Sequence, residues 1–300
     1  MYKYKGGLYM FHGINFAKFP LQIIAWLAAF CSLFTSIMDM GTAANTPEVE
    51  LVKEDKLVLN DAMFAGQGIT TDGKYYYTSG SITALGIAGL AIWDAETMER
   101  VRVNRDAIPS EYRDKYESDH IGGISYYDGK IYAAVENAPE DYPLIITYDC
   151  RSLKPIDTYV LPAEMLPDGV PWCAVDGENG YLYCSPFHNI TEIYAFDLDT
   201  MEYSHSIKLS EQITRIQGCE VYNGKLYASY DASNSNDDSV LTVDVKTGKV
   251  ETLCERSLPS AAGNEAEGLT VFPMADGSLI HVLDYDKTVG VYVRHYKIAE

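Results

Sequence analysis

From about residue 67 onward, short apolar runs alternate with polar turns, and the runs are too brief to make helices. They are rich in Tyr, Val, Ile and Leu, which predicts β-strands. One phrase recurs five times: an apolar strand, then Asp-Gly or Asn-Gly, then a strand rich in Tyr and apolar residues. The turns are Asp72-Gly73, Asp128-Gly129, Asn179-Gly180, Asn223-Gly224 and Asp276-Gly277. These dipeptides favour two-residue hairpins in which both central positions take positive φ. Hairpins repeated every fifty residues or so predict a repeat architecture, an all-β five-bladed β-propeller.

The blades can be cut from the same pattern. Blade one carries strands near 67–71, 74–79, 89–93 and 100–104. Blade two starts near His120 and continues through 130–136, 144–148 and 156–161. Blade three spans Trp172 to Leu209 and blade four spans Gln217 to Cys254. Blade five starts near Glu267 and supplies 278–283 and 289–298. It is one strand short at the C-terminus, so the N-terminal run Lys56–Asn60 is expected to close the ring and cover the open sheet edge. Four blades repeat Asp-x-x-Thr/Ser at Asp94/Thr97, Asp149/Ser152, Asp197/Thr200 and Asp244/Thr247. Such pairs form turns by bonding nearby backbone, so these aspartates are turn formers and not catalytic acids. The polar insertion from Ile108 to Asp119 predicts a short helix, and Pro162–Pro171 a connector to blade three.

Composition adds compartment and charge. The 300 residues carry a formal net charge of -20, which excludes nucleic acid and anionic membrane surfaces as partners. Lys3, Lys5 and Lys18 precede an uncharged run from Phe19 to Met38, followed by small residues Gly41 to Ala44. This reads as a hydrophobic export helix over residues 1–44. It is either a signal peptide cleaved after Ala43 or Ala44, or an uncleaved membrane anchor. Either way the propeller, residues 51–300, is expected outside the cytoplasm, secreted or anchored, touching the membrane only through that segment. A monomer is expected. Cys173 and Cys184 lie on adjacent strands and either pair or act as small buried apolar residues. The oxygen-rich loop Asp231–Asp238 permits a divalent metal such as calcium, or is simply solvated.

In propellers the first strand of each blade lines the axis, so polar residues entering those strands converge. Gln67, Gln217 and Glu267 each directly precede a blade's first glycine; Asp119, His120, Trp172, Arg215 and Glu265 lie nearby. The expected site is an axial pocket for a small molecule, peptide or glycan. His120, Trp172, Arg215, Gln217 and Glu265 are its candidate binding residues, and Asp119 with His120 a candidate metal pair. Glu267 is the candidate catalytic acid or base and Gln67 its substrate-orienting partner. The alternative is a polar, water-filled channel with no chemistry. No serine elbow, P-loop or HExxH is present.

The segment FAGQGITTDGKYYYTSGS, residues 64–81, resembles the opening blade of the glutamine cyclotransferases, secreted five-bladed propellers. Glu267-Gly268-Leu269 resembles a Glu-Gly phrase of that family and of gluconolactonase-like propellers. The resemblance implies cyclisation of N-terminal glutamine with Gln67 and Glu267 at the site. The order departs from the family, whose Glu-Gly phrase belongs to blade two, where this chain reads HIGG. The leading functional expectation is therefore an extracytoplasmic propeller that binds a small ligand or partner. The rival is an enzyme, cyclotransferase-like or a metal-assisted hydrolase, using Glu267 as acid/base.

Overall fold

Each Asp-Gly or Asn-Gly turn joins the first two strands of a four-stranded antiparallel sheet, and five such sheets form the propeller. The computed structural model describes residues 47–299 except 58–59, 138–141, 233–237, 257–263 and 287–289. The export segment and most of the loop read as calcium-permissive lie outside these residues. Among the described residues no helix is long and apolar enough to cross a membrane.

Strand β1 (Val49–Leu57) comes first and is used last. Blade one is β2 (Ile69–Thr71), β3 (Tyr75–Ile82), β4 (Ile87–Asp94) and β5 (Arg100–Asn104). The helix α1 (Ser110–Tyr116) follows, as the insertion predicted. Blade two is β6 (Ser118–Tyr127), β7 (Lys130–Asn137), β8 (Leu144–Asp149) and β9 (Pro155–Val160). Blade three is β10 (Cys173–Asp176), β11 (Tyr181–Cys184), β12 (Ile190–Asp197) and β13 (Tyr203–Ile213). Blade four is β14 (Ile216–Tyr222), β15 (Lys225–Tyr230), β16 (Ser239–Asp244) and β17 (Val250–Glu255). Blade five is β18 (Glu265–Val271), β19 (Ile280–Asp286) and β20 (Gly290–Ile298), completed by β1.

The closing strand was expected at Lys56–Asn60 and instead runs along the whole of β20, from Val49 opposite Ile298 to Leu57 opposite Val291. Charge sets this register more than apolar pattern. Glu54 pairs with Arg294 at 2.7 Å, Asp55 with His295 at 3.2 Å and Glu50 with Lys297 at 2.8 Å, while Leu57 alone is fully buried along β1. A reading that followed hydrophobic residues found only the strand's apolar end.

The turns are also less uniform than expected. Only Asp128-Gly129 and Asn223-Gly224 have positive φ at both central positions, and these are the two true two-residue loops. Elsewhere the loop is longer and only the glycine is left-handed. In blade one Asp72 instead accepts the N–H groups of Lys74 and Tyr75. The Asp-x-x-Thr/Ser turns are uniform. In each, the aspartate accepts the N–H and the hydroxyl of the Thr or Ser, and these bonds hold its carboxyl below the ordinary range. The next residue, Met98, Leu153, Met201 or Gly248, turns left-handed to re-enter the sheet.

The apolar core is divided into five wedges, one between each pair of neighbouring blades. Leu90 and Ile124 meet between blades one and two, for example, and Val240 and Val282 between four and five. Each sheet therefore buries both faces, as stacked sheets require. Cys173 and Cys184 stand opposite one another in the β10–β11 register, yet both are free and buried, so they serve as small apolar residues.

Candidate functional site

Because every inner strand starts at the same end of the ring, the residues that enter those strands gather there. A cavity of about 270 Å³ lies at this end, lined by Gln67, His120, Glu136, Asp168, Pro171, Phe187, Gln217, Glu265 and Glu267. Five of the residues expected at the site, Gln67, His120, Gln217, Glu265 and Glu267, thus come together. Pairing irregularities in β6, β14 and β18 fall at Ser118/His120, Ile216/Gly218 and Ala266/Leu269, beside those side chains. Such bulges re-aim side chains that a regular ladder would turn away.

Gln67 and Glu267 are a pair. The Gln67 Nε2 donates to Glu267 Oε1 at 3.4 Å, and the Gln67 carbonyl accepts the N–H of Gly268 at 2.7 Å across the seam between blades one and five. Glu267 is only 2% exposed. His120 stands opposite Glu136 in the β6–β7 register. Burial pushes its imidazole below its ordinary pKa, against a smaller upward pull from Asp119, which favours a neutral ring.

Phe187 is held over the cavity by a clasp. Asp168 accepts the N–H groups of Phe187 and His188 at 2.9 and 2.8 Å, and His188 Nδ1 lies 2.9 Å from its carboxylate. On the other side Arg215 donates its N–H to the Phe187 carbonyl at 2.7 Å and places its guanidinium 5.0 Å from the ring centre. Arg215 is also ion-paired with Asp231.

Three expected residues are therefore placed differently. Arg215 supports Phe187 and does not line the cavity. Trp172 is 1% exposed, packs among blades three and four, and donates its Nε1 to Ser185 Oγ at 3.1 Å. Asp119 is absent from the lining, and among the described residues no three His, Cys, Asp or Glu side chains are arranged to hold a metal. Glu136, Asp168 and Phe187 were missed because they come from the end of β7 and from connectors, where no repeat signal marks them.

One further carboxylate escaped the sequence reading. Glu220 on β14 lies at the axis, where Thr70, Ser125 and Thr270 each donate a hydroxyl to it at 3.1 Å. The hydroxyls of Thr70 and Ser125 in turn accept the N–H groups of Tyr126 and Val175, which frees their protons for the carboxylate. Thr70, Ser125, Val175, Glu220 and Thr270 occupy the same position in their five blades, two residues after Gly68, Gly123, Cys173, Gly218 and Gly268. Burial dominates over the three donors and raises the Glu220 pKa to about 7. The glycines mark the pinch: a Cβ at Gly218 would lie 2.8 Å from the Gly268 Cα, and one at Gly268 would lie 2.7 Å from the Gly68 Cα.

The crystal structure of Myxococcus xanthus glutaminyl cyclase shares this fold. It matches 84% of this chain and 97% of its own with a TM-score of 0.57, at 15% sequence identity. More distant matches are a nidogen/laminin complex (TM-score 0.41, 17% identity, 62% of each chain) and Kuenenia stuttgartiensis hydrazine synthase (TM-score 0.40, 18% identity, 72% of this chain and 55% of that one). The family model described as "Repeat of unknown function (DUF6923)" matches residues 159–280, less than half of the chain. No curated protein matches the sequence. At 15% identity the likeness to the glutaminyl cyclase bears on the fold alone.

Proposed function

We propose that this propeller binds a small amine-bearing ligand in its axial cavity. The observation that carries the reading is the lining itself: Glu136, Asp168, Glu265 and Glu267 supply four carboxylates, and no Lys or Arg is present. Such an enclosure favours an ammonium group and repels an anion. Its volume falls just below the roughly 300–1,000 Å³ of drug-sized sites, which suits a single amino-acid residue or a comparable amine. Gln67, oriented by its bond to Glu267, offers an amide to the ligand's polar backbone, and Phe187 offers an apolar or cation-binding wall.

Calorimetric titration with a Gln-terminated dipeptide and its N-acetylated form tests this. The free amine is expected to bind, and Glu267→Gln to weaken it about tenfold or more, since a charge-assisted bond is lost. Equal binding of the acetylated peptide overturns the reading.

A second reading, catalysis, is favoured by the Gln67–Glu267 pair in a fold shared with a glutaminyl cyclase. In it Glu267 accepts a proton from the substrate's terminal amine. That nitrogen attacks the glutamine side-chain amide, a ring C–N bond forms, and ammonia leaves with the returned proton. Ammonia release that disappears in Glu267→Gln supports catalysis; binding without ammonia release overturns catalysis and leaves the binding reading standing.

We also infer an extracytoplasmic location from the basic flank and apolar run within residues 3–38. N-terminal sequencing of the exported protein separates a cleaved leader, starting at Ala44 or Asn45, from an anchor that retains Met1.

A further inference from the structure

The hairpin turns lie at the opposite end of the ring from the axial cavity, because each inner strand runs from one face to the other. On that turn-bearing face a larger recess of about 660 Å³ opens between blades one and two. The formal charge of its lining is opposite in sign to the axial cavity's. Lys74, Arg102 and Arg151 line it with exposed side chains. None of the three takes part in the ion pairs of the described residues.

The two carboxylates in the same lining carry hydrogen bonds of their own, Asp149 on one oxygen only. Asp72 accepts the N–H groups of Lys74 and Tyr75 on one oxygen and the Tyr77 hydroxyl, at 2.9 Å, on the other. Asp149 accepts the N–H and hydroxyl of Ser152 at 2.7 and 2.6 Å. Hydrogen bonds leave both carboxylates charged, so three cations against two anions give the lining a formal charge of +1, in a chain whose formal net charge is -20. One side of the recess is aromatic: Tyr126 is half-buried and stacks in parallel on the buried Tyr77, with ring centres 5.6 Å apart.

We propose that this recess binds a small carboxylate carried on a ring, either a uronic-acid sugar or an aromatic acid. Guanidinium forks match a carboxylate in a two-bond geometry that a diffuse anion does not exploit. Tyr126, backed by Tyr77, supplies a flat surface for the ring. The local reversal of charge selects an anion against the field of the rest of the molecule. The site shares no residue with the axial cavity, so its fate is independent of the function proposed there.

Calorimetric titration of the full chain with D-glucuronate and with benzoate tests the proposal, with D-glucose as the neutral control. At least one acid is expected to bind, more weakly as ionic strength rises, while glucose does not. Preference for glucuronate identifies the sugar class and preference for benzoate the aromatic class. The Arg102→Ser/Arg151→Ser double variant is expected to lose about tenfold or more in affinity, since charge-assisted bonds are removed. Both substitutions are at exposed positions, so folding is expected to persist, and circular dichroism checks it. Glu267→Gln, at the other end of the ring, is expected to bind the acid as the unaltered chain does. Failure of both acids to bind at millimolar concentration, equal binding of glucose, or unchanged affinity in the double variant overturns the proposal.

Discussion

Glu220 shows how much a single side chain's setting outweighs its type. An exposed glutamate is a plain anion at neutral pH, but this one is fully enclosed and titrates near 7 despite three hydroxyl donors. A pKa raised on folding means that the folded state holds the proton more tightly than the unfolded chain. The resulting stability is fully present below the ordinary carboxylate pKa and is lost as pH rises through about 7. Urea unfolding of the wild type and of Glu220→Gln at pH 5 and pH 8 checks this. The wild type is expected to gain roughly 2 kcal/mol relative to the variant on going from pH 8 to pH 5. A constant difference between the two proteins would refute it. His120 and His281 act in the opposite direction: burial lowers both, His281 to about 4, so their protonation on acidification opposes folding. For that reason the difference between variants, and not the wild-type curve alone, isolates Glu220.

Between elements, polar links reinforce the apolar wedges. Arg256, just beyond β17, reaches into blade five and donates to Asp284 and to the Leu283 carbonyl, the latter at 2.8 Å. Arg294 on β20 donates to the same Asp284, and to Glu54 on the closing strand. One carboxylate, 2% exposed, thus ties blade four, β19, β20 and, through Arg294, β1. Removing it leaves the buried Arg256 without a carboxylate and Arg294 with Glu54 alone. Asp284→Ala is expected to cost about 3–5 kcal/mol, read as a lower urea midpoint at unchanged slope. A loss under 1 kcal/mol would show that water readily replaces the carboxylate. This link could not be read in the sequence, since its partners lie far apart in the chain and follow no repeat. The Asp-x-x-Thr/Ser turns were legible because all their bonds fall within three residues. β1 was half legible: its place in the ring followed from counting strands, whereas its extent followed from charge pairs with β20.

For the molecule as a whole, five-fold repetition was written plainly in the turns, and the convergence of Gln67, Gln217 and Glu267 followed from it. Trp172 shows the limit of that logic. It enters an inner strand as they do, but its bulk suits the wedge between blades and turns it away from the axis. Bulges and connectors decided the rest of the cavity, and neither has a periodic signature. Closure of the ring depends on near-contact of backbones, as at Gly268, where a Cβ would lie 2.6 Å from the Ile69 nitrogen and 2.7 Å from the Gln67 oxygen. Those atoms belong to backbone and cannot rotate aside. Gly268→Ala is therefore expected to cost about 1–3 kcal/mol and to lower the melting temperature measurably. An unchanged melting temperature would mean that the seam between blades one and five yields easily.

The carboxylate shared by hydroxyls at the axis also bears on how such a ring can be made from copies of one unit. Five identical blades would bring five identical groups to one narrow point. Five carboxylates there would repel one another, and five hydroxyls would lack a common acceptor. One differing copy meets both difficulties here: blade four supplies the acceptor Glu220, three blades supply hydroxyl donors, and blade three takes no part with Val175.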